Sequence, residues 1–243
     1  MEGPSLVLLR EELKAFIGKK IIKASGLARI DHEKLYGQRI KDFKSWGKHF
    51  LIVLKDVTIR IHFLMFGSYR VNERKETTPR LQLEFSDGQE IGFYTTAVTE
   101  ITEDLDAVYD WSADVMSDSW DPVKARKKLK KAPHLNVGDA LLDQQIFSGV
   151  GNIIKNEVLF RIRVHPESVI GALPPRKLTE LVHQARIYSF DFYAWKQIYQ
   201  LKKHWLIHTR MKCPRCNIPS SKKYTGIKQR RSFFCRKCQE LYT

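Results

Sequence analysis

All four cysteines of the chain lie in its last thirty-odd residues, where they form two C-x-x-C knuckles. The first knuckle is Cys213-Pro214-Arg215-Cys216, the second is Cys235-Arg236-Lys237-Cys238, and 18 residues separate them. Two knuckles at this spacing can surround one Zn²⁺ with four thiolates from the two turns of a β-hairpin. A shell of four protein ligands leaves no position for water. We therefore predict one structural zinc ion, held by Cys213, Cys216, Cys235 and Cys238.

The segment that carries these cysteines is strongly basic. Residues 201–243 contain 12 Lys or Arg and one acid, Glu240, so they supply +11 of the chain's formal net charge of +15. A zinc-pinned cationic hairpin is typical of a nucleic-acid contact. The alternative is a solvated basic surface that has no partner. The uneven distribution of charge favours the nucleic-acid contact.

The same cysteines could instead form two disulfides in an oxidising compartment. The chain does not begin with positive charges followed by an apolar segment, so secretion has no support in the sequence. Its apolar stretches are too short to span a bilayer. We expect a soluble monomer in the reducing cytoplasm with no membrane partner, associated with the nucleoid if the organism is bacterial.

Hydrophobic periodicity divides the 243 residues into a mixed and a helical part. Leu6, Leu9, Leu13 and Phe16 recur at helical spacing after Pro4 and predict a first helix that ends at Gly18. Alternating apolar residues from 19 to about 102 predict antiparallel strands, and Asp87-Gly88 predicts a tight hairpin turn. Several such hairpins indicate a sandwich or barrel.

The remainder of the chain has helical signals. An acidic segment from Glu103 to Asp121 is predicted to be a linker, and Asp121-Pro122 marks the start of a basic helix. Helical segments at 139–147 and 152–160, joined by a glycine-rich turn, predict a helix-turn-helix-like unit. A further helix opens at Pro174-Pro175 and is predicted to break near Ser189.

Four short segments occur in the order found in one family of DNA repair enzymes. They are Glu2-Gly3-Pro4, Gly47-Lys48, Gly149-Val150-Gly151-Asn152-Ile153 and Arg230. With the cysteine spacing, they make the chain resemble the Fpg/Nei family of DNA glycosylase/AP lyases over nearly its whole length. The resemblance implies an α+β fold: an N-terminal antiparallel β-sandwich with a terminal helix, followed by a helix-two-turn-helix domain and a zinc-finger β-hairpin, with DNA in the cleft between the domains.

The resemblance also implies domain boundaries and a substrate class. We expect a catalytic β-sandwich domain at 1–110, a linker at 111–121, a helix-two-turn-helix domain at 122–205 and a zinc finger at 206–243. The start at Glu2-Gly3-Pro4 is similar to the endonuclease VIII (Nei) branch, and residues 94–100 replace the Asp-Pro-Arg-Arg-Phe-Gly segment of the Fpg branch. Damaged double-stranded DNA that contains oxidised pyrimidines is the expected substrate.

A glycosylase must extrude the damaged base and fill the gap that the base leaves in the stack. Leu64, Met65 and Phe66 are three bulky apolar residues just before Gly67, and the resemblance implies that they are the intercalating residues. The alternative is that they belong to the hydrophobic core, where Met and Phe usually lie.

The resemblance implies that the terminal amine is the nucleophile and that Glu2 is the general acid/base. An α-amine has an unperturbed pKa of about 7.7–8.0, so a useful neutral fraction exists at physiological pH. The family exposes a proline after losing its methionine, whereas this chain reads Met1-Glu2. Because Glu2 is not small, we expect Met1 to be retained as a primary amine. Ser5 replaces the acid that the family has three residues after its glutamate.

The same resemblance implies three phosphate contacts, from Lys48, Asn152 and Arg230, and we include Lys48 among the catalytic residues. Each of them alone could be an ordinary surface residue or helix cap. We expect His62, Trp46 and Tyr94 to be packing residues. Two other functions remain open: a non-catalytic DNA-binding protein on the same scaffold, and a zinc-ribbon RNA-binding protein.

Overall fold

The computed structural model describes residues 1–243, which form two compact units. Unit 1 contains Met1 and Ser5–Tyr109, and unit 2 contains Glu2–Pro4 and Asp110–Thr243. Each unit has its own hydrophobic core. No helix is long and apolar enough to cross a lipid bilayer.

Unit 1 is built on one antiparallel six-stranded sheet in the order β1-β5-β6-β4-β3-β2. The strands are β1 (Ile21–Ser25), β2 (Asp42–Trp46), β3 (His49–Val53), β4 (Thr58–Val71), β5 (Leu81–Phe85) and β6 (Glu90–Ile101). A short 3₁₀ turn, Glu33–Leu35, lies between β1 and β2. The predicted turn at Asp87-Gly88 joins β5 to β6, and Gly88 adopts a φ of 81° there. The prediction of an antiparallel N-terminal part is confirmed.

The first helix packs its predicted apolar face into the core of unit 1. Helix α1 spans Gly3–Glu12 and continues as a 3₁₀ turn over Leu13–Phe16. Its spaced apolar side chains, Leu6, Leu9, Leu13 and Phe16, are all between 0% and 3% exposed. Burying four such side chains contributes on the order of 6–12 kcal/mol, before the entropy cost of folding. Gly18 ends the segment with a φ of 85°.

Unit 2 contains four α-helices and a two-stranded hairpin. The helices after β6 are α2 (Leu105–Val108, at the end of unit 1), α3 (Pro122–Lys131), α4 (Val137–Leu141), α5 (Asn152–Arg161) and α6 (Pro175–Gln197), and 3₁₀ turns lie at Trp111–Ala113, Ile170–Ala172 and Leu201–His204. Helix α2 belongs to unit 1, and the other four helices belong to unit 2. The hairpin is formed by β7 (Ser221–Thr225) and β8 (Arg230–Phe234). The predicted helical part and C-terminal hairpin are confirmed.

Several local predictions can be compared with the helices of unit 2. The Asp121 carboxylate accepts hydrogen bonds from the backbone N–H groups of Val123 (2.8 Å) and Lys124 (2.9 Å), as expected of an N-cap. The helix predicted at 139–147 is observed as α4, Val137–Leu141, which is shorter and begins and ends earlier in the chain. The break predicted near Ser189 is wrong: α6 continues to Gln197, and the buried Ser189 hydroxyl donates to the Ala185 carbonyl at 2.7 Å.

The acidic segment that was predicted to be a linker has structure of its own. In unit 2, Asp110 forms ion pairs with Lys124 (2.9 Å) and Lys128 (3.1 Å) of α3. Val115 is completely buried, and its N–H donates to the Ser148 carbonyl at 3.2 Å. These contacts attach residues 110–115 to the helices that follow.

Candidate active site

A wide bulge in unit 1 presents the three apolar residues that were predicted to intercalate. Strand β4 pairs with β6 at Phe63↔Thr96 and again at Ser68↔Tyr94, so Thr95 alone faces residues 64–67 of β4. Leu64, Met65 and Phe66 are therefore pushed out of the sheet and are 45%, 76% and 80% exposed. The alternative that they belong to the core is wrong. Their role as a wedge stays a prediction.

The bulge depends on Gly67. A Cβ at this position would lie 2.9 Å from the Phe63 Cα and 3.0 Å from the Leu64 nitrogen, which is closer than real contacts allow. The backbone therefore folds back on itself within four residues. Thr95, opposite the bulge, adopts a φ of 53°, an uncommon value for a β-branched residue.

The chain terminus and Lys48 are the cationic groups of unit 1 that the sequence assigned to the site. Lys48 lies in the two-residue turn between β2 and β3, where Trp46 pairs with His49 and Gly47 adopts a φ of 55°. Met1 is 38% exposed. Trp46 and Tyr94 are buried, as expected of packing residues.

His62 was expected to be a packing residue, but the structure links it to these two cations. Burial lowers the pKa of the His62 imidazole, and the positive charges of the Met1 amine and Lys48 lower it further. A neutral imidazole therefore lies in the field of both groups. No motif around His62 indicated this, because the proximity arises from the pairing of β3 with β4.

Glu2 belongs to unit 2, where its side chain caps helix α5. The carboxylate accepts hydrogen bonds from the backbone N–H groups of Gly151 (3.2 Å), Ile153 (2.7 Å) and Ile154 (3.3 Å). The first turn of a helix has N–H groups without intrahelical partners and carries a partial positive charge. The N-cap residue of α5 is Gly151, which has no side chain to satisfy them. Glu2 supplies the missing acceptor from 149 residues away in the chain.

The glycine-rich segment before α5 makes room for this contact. A Cβ on Gly151 would lie 2.4 Å from the Glu2 Cδ and 2.5 Å from its Cγ. The Gly3 N–H also donates to the Gly149 carbonyl at 2.9 Å, so the backbone on both sides of the carboxylate is held. The Gly-x-Gly-Asn sequence is therefore a cradle for Glu2.

Successive side chains of α5 hold strand β8 of the C-terminal hairpin. The Asn152 side-chain amide donates to the Arg231 backbone carbonyl at 2.9 Å, and the Lys155 ammonium donates to the Ser232 hydroxyl at 2.8 Å. The side-chain oxygen Oδ1 of Asn156 accepts a hydrogen bond from the Phe233 backbone N–H at 3.3 Å. The Asn152 side chain thus binds the hairpin directly, a contact that the sequence did not predict.

Arg230 is exposed at the start of β8, next to the turn that α4 holds in place. The Asp139 carboxylate of α4 accepts hydrogen bonds from the N–H groups of Ile227 (2.7 Å) and Lys228 (3.3 Å). The turn approaches so closely that a Cβ on Gly226 would lie 2.4 Å from the Asp139 carboxylate. Arg230 therefore extends from a turn that is fixed at its base.

Lys155 is a functional candidate that sequence reasoning missed. Its side chain is only 1% exposed. Burial lowers the pKa of its ammonium to about 8, the charge of Arg230 lowers it as well, and the carboxylates of Asp139 and Glu2 act in the opposite direction. A lysine on the first turn of a helix is normally solvated. The local sequence gave no signal of its burial, because that burial depends on the packing of the distant hairpin residue Ser232 against α5.

The four cysteines come together as the sequence predicted. Their sulfur atoms all lie within 4.8 Å of one another, and those of Cys213 and Cys238 are 3.7 Å apart. A tetrahedron with Zn–S bonds of about 2.3 Å places its sulfurs about 3.8 Å apart, so the cluster fits a tetrahedral thiolate site. The Glu157 carboxylate of α5 accepts hydrogen bonds from the N–H groups of residues 206–208 and fixes the chain that leads into the first knuckle.

Two family models match the chain, one in each unit. The model of the formamidopyrimidine-DNA glycosylase N-terminal domain matches residues 2–96, and that of the formamidopyrimidine-DNA glycosylase H2TH domain matches residues 112–187. Together they span most of the sequence. Both models describe domains of one family of DNA glycosylases. The chain belongs to the formamidopyrimidine-DNA glycosylase family, which confirms the resemblance found in the sequence.

Similar proteins carry endonuclease 8 names. "Endonuclease 8-like 3" of Xenopus laevis is 30% identical over 242 residues, which cover 90% of this chain and 38% of that protein. "Endonuclease 8-like 2" of Bos taurus is 31% identical over 195 residues, covering 74% of this chain and 58% of that protein. The chain therefore spans little more than a third of the first relative and less than two thirds of the second.

Solved structures show the same fold at lower sequence identity. A viral DNA glycosylase superposes with a TM-score of 0.85 at 18% identity and covers 99% of this chain and 100% of that one. A formamidopyrimidine-DNA glycosylase of Lactococcus lactis, bound non-covalently to DNA with an AP site, superposes with a TM-score of 0.85 at 23% identity and the same coverage. These structures confirm the α+β architecture.

The Gly151→Ala substitution tests the cradle around Glu2. The added methyl group would collide with the end of a flexible side chain rather than with backbone, so we expect the protein to fold with a Tm within a few degrees of wild type. If Glu2 is the general acid/base that the resemblance implies, displacing its carboxylate should reduce excision or strand cleavage on damaged DNA by about 100-fold. Gly171→Ala, which meets Pro133 elsewhere in unit 2, is a control for general strain.

The Lys155→Met substitution tests the buried ammonium through pH. The folded-state pKa of Lys155 is about 8 and an unfolded lysine has a pKa of about 10.4, so the unfolded chain binds more protons between these values. The cost of burying the charge is present below pH 8 and disappears as the pH rises to 10.4. The free energy of unfolding of wild type should therefore rise relative to Lys155→Met by up to about 3 kcal/mol across this window.

Urea unfolding at pH 7.5 and pH 10 measures this difference. Lys127→Met, at an exposed position of α3, is the matched control and should show no pH-dependent difference from wild type. Thiolate titration affects all three proteins alike. A difference that is constant with pH would show that the Lys155 pKa is not lowered.

Proposed function

We propose that the protein is a bifunctional DNA glycosylase/AP lyase of base-excision repair that removes oxidised bases through a Schiff base on its N-terminal amine. The observation that carries this proposal is the Glu2 carboxylate, fixed by three backbone N–H groups at the start of α5 and adjacent in the chain to the residue that bears the amine. A carboxylate that merely stabilised a helix could come from any nearby residue. Here it comes from residue 2.

The reaction follows from the two neighbouring groups. The neutral Met1 amine attacks C1′ of the damaged nucleoside and forms a C–N bond, while the bond from C1′ to the base breaks and the departing base takes a proton from solvent. The Glu2 carboxylate accepts one proton from the attacking nitrogen and passes it to the ribose ring oxygen, so that the bond from C1′ to that oxygen breaks and the protonated Schiff base forms. The same carboxylate then accepts protons during elimination of the flanking phosphate.

The electrostatic environment of the amine supports contact with DNA. Lys48 and the Met1 amine both act on His62, so two positive charges occupy one region of unit 1. The cations suit the phosphates that flank a lesion. Lys48, Asn152 and Arg230 are the groups we propose for those phosphates.

Oxidised pyrimidines in double-stranded DNA are the substrates we propose. Two observations support the choice: the endonuclease 8 names of the relatives, and the exposed bulge at Leu64, Met65 and Phe66. Apolar side chains on a rigid bulge can insert between base steps and hold the gap open after the base has been extruded.

We propose that the four-cysteine cluster holds one zinc ion, with Cys213, Cys216, Cys235 and Cys238 as ligands. All four positions are filled by protein, so the ion would stabilise the hairpin and take no part in the chemistry. Thiolates must stay reduced to bind it, which favours a reducing compartment such as the cytoplasm.

We retain the proposed domain limits of 1–110, 122–205 and 206–243, with a short connection at 111–121, and a monomer as the working unit.

A non-catalytic DNA-binding protein is the second candidate, and Met1-Glu2 in place of the family's Met-Pro-Glu is what favours it. Borohydride reduction separates the two candidates. The intact protein should form a covalent adduct with an oligonucleotide duplex that contains an abasic site, and mass spectrometry of the digested adduct should locate it on the Met1 nitrogen.

The matched control carries one extra glycine before Met1, which moves the amine by about 3.8 Å. We expect its adduct yield to fall by about 100-fold or more, with the dissociation constant for the same duplex little changed. Tight binding of wild type without any adduct would instead establish the second candidate.

Removal of the metal tests the role of the cysteine cluster. Chelation, or the Cys235→Ser substitution, should release about one zinc per chain and weaken binding to duplex DNA, because Arg230 extends from the hairpin that the ion stabilises. The sheet of unit 1 should keep its thermal transition, since its core includes none of these residues. Zinc content by atomic absorption and binding by fluorescence anisotropy measure both effects. Full binding by a metal-free protein would contradict the assignment.

A further inference from the structure

An open groove of about 680 Å³ lies in unit 2 at the C-terminal end of α5. It is lined by residues that follow α5, by the second cysteine knuckle and by the chain just beyond that knuckle, with Lys177 of α6 completing the wall. Asn152, the phosphate contact proposed above, lies at the other end of the helix. A helix of ten residues is about 15 Å long, so this groove is a separate surface from the one at Asn152.

The floor of the groove is a fixed piece of backbone. The His165 N–H donates to the Glu240 carbonyl at 2.7 Å, and the Glu240 N–H donates to the Arg163 carbonyl at 2.8 Å. The Gln239 side chain is 4% exposed and bonds to the Cys235 N–H and the Val164 carbonyl, both at 2.8 Å. Hydrogen bonds within the protein therefore hold the floor of the groove in place.

The walls carry four cations and one carboxylate. Lys177 is neutralised within the protein, because it donates to the Ile162 carbonyl at 2.6 Å and pairs with Glu180 at 2.8 Å. Arg163, Arg236 and Lys237 are exposed and have no carboxylate partner. The Glu240 carboxylate accepts a hydrogen bond from the Tyr242 hydroxyl at 2.7 Å instead of pairing with one of them. Three unpaired positive charges thus share one concave surface.

Arg163 occupies a backbone position that favours glycine. The helix ends with the Arg163 N–H bonded to the Phe160 carbonyl (3.1 Å) and the Val164 N–H bonded to the Leu159 carbonyl (3.0 Å). This is a Schellman motif, in which the residue at Arg163 must be left-handed, and its φ is 59°. An arginine is strained there. Strained residues that persist are concentrated at functional sites, which supports a functional role for this position.

We propose that this groove is a second nucleic-acid contact, which binds backbone phosphates of DNA that extends beyond the lesion. Guanidinium and ammonium groups on a concave wall suit phosphate oxygens. Helix α5 places the groove about 15 Å from Asn152, so a duplex that reaches both must extend beyond the lesion. The proposal rests on the DNA-binding part of the function proposed above.

The test uses the full-length, zinc-loaded protein and two duplexes with the same central abasic-site analogue, one of 11 and one of 35 base pairs. The groove variant is Arg163→Asn/Arg236→Gln/Lys237→Gln, in which asparagine tolerates the left-handed backbone. The matched control, Lys127→Gln/Lys130→Gln/Lys131→Gln, removes the same charge from exposed positions of α3. Dissociation constants are measured by fluorescence anisotropy between 50 and 200 mM KCl.

For the long duplex, the groove variant should bind about tenfold more weakly at 100 mM KCl and lose about one to two from the slope of log K against log salt. The short duplex should bind equally well to wild type and groove variant, and the α3 control should match wild type with the long one. Equal slopes for wild type and groove variant with the long duplex, or an equal loss in the α3 control, would overturn the proposal.

Two further outcomes keep the two proposals apart. If neither duplex binds wild type, the DNA-binding function proposed above is contradicted, and the assignment of the groove to DNA is overturned with it. If sodium tripolyphosphate raises the Tm of wild type but not of the groove variant, while the length of the duplex has no effect on binding, the groove is a site for small phosphate anions and its assignment to DNA is overturned.

Discussion

The hydrogen bonds between the Glu2 carboxylate and the first turn of α5 are the interaction on which the rest of the site depends. A helix start that lacks a capping side chain needs an acceptor, and a carboxylate benefits from the helix dipole, so both partners gain from the contact. The negative charge of the Glu2 carboxylate, next to Met1 in the chain, is thereby fixed in position. A side chain at position 151 would displace the carboxylate, which ties the glycine-rich segment to the position of Glu2.

Helix α5 organises the remainder of unit 2 around this contact. Its first turn holds Glu2, its inward side chains hold strand β8, and Glu157 holds the approach to the first cysteine knuckle. The buried Lys155 ammonium lies in the field of two carboxylates and one arginine, so the charge of Glu2 is linked to the docking of the hairpin. The four-cysteine hairpin and the carboxylate proposed to be catalytic are thus supported by one ten-residue helix.

Several features of the fold and of the candidate site could be predicted, because their signal lies in residues close together in the sequence. The spacing of the cysteines predicted their cluster, because ligand geometry sets the spacing directly. The periodicity of Leu6, Leu9, Leu13 and Phe16 predicted the first helix, and Asp121-Pro122 predicted the start of α3. Prediction failed at Ser189, where a polar residue suggested a break but the hydroxyl bonds back to the preceding turn of the helix. It also missed His62 and Lys155, whose properties come from neighbours distant in the sequence.

The sequence by itself determined the two-part architecture, the metal-binding knuckles and the family, since each is written in spacing, periodicity or short ordered motifs. Only the tertiary structure decided that Glu2 caps α5, that the bulge exposes Leu64, Met65 and Phe66, and that three cations share a groove behind the second knuckle. The physical reason is that hydrogen bonds, desolvation and electrostatic fields act over a few ångströms of space. Residues as far apart in the chain as 2 and 151 come within that range only after folding.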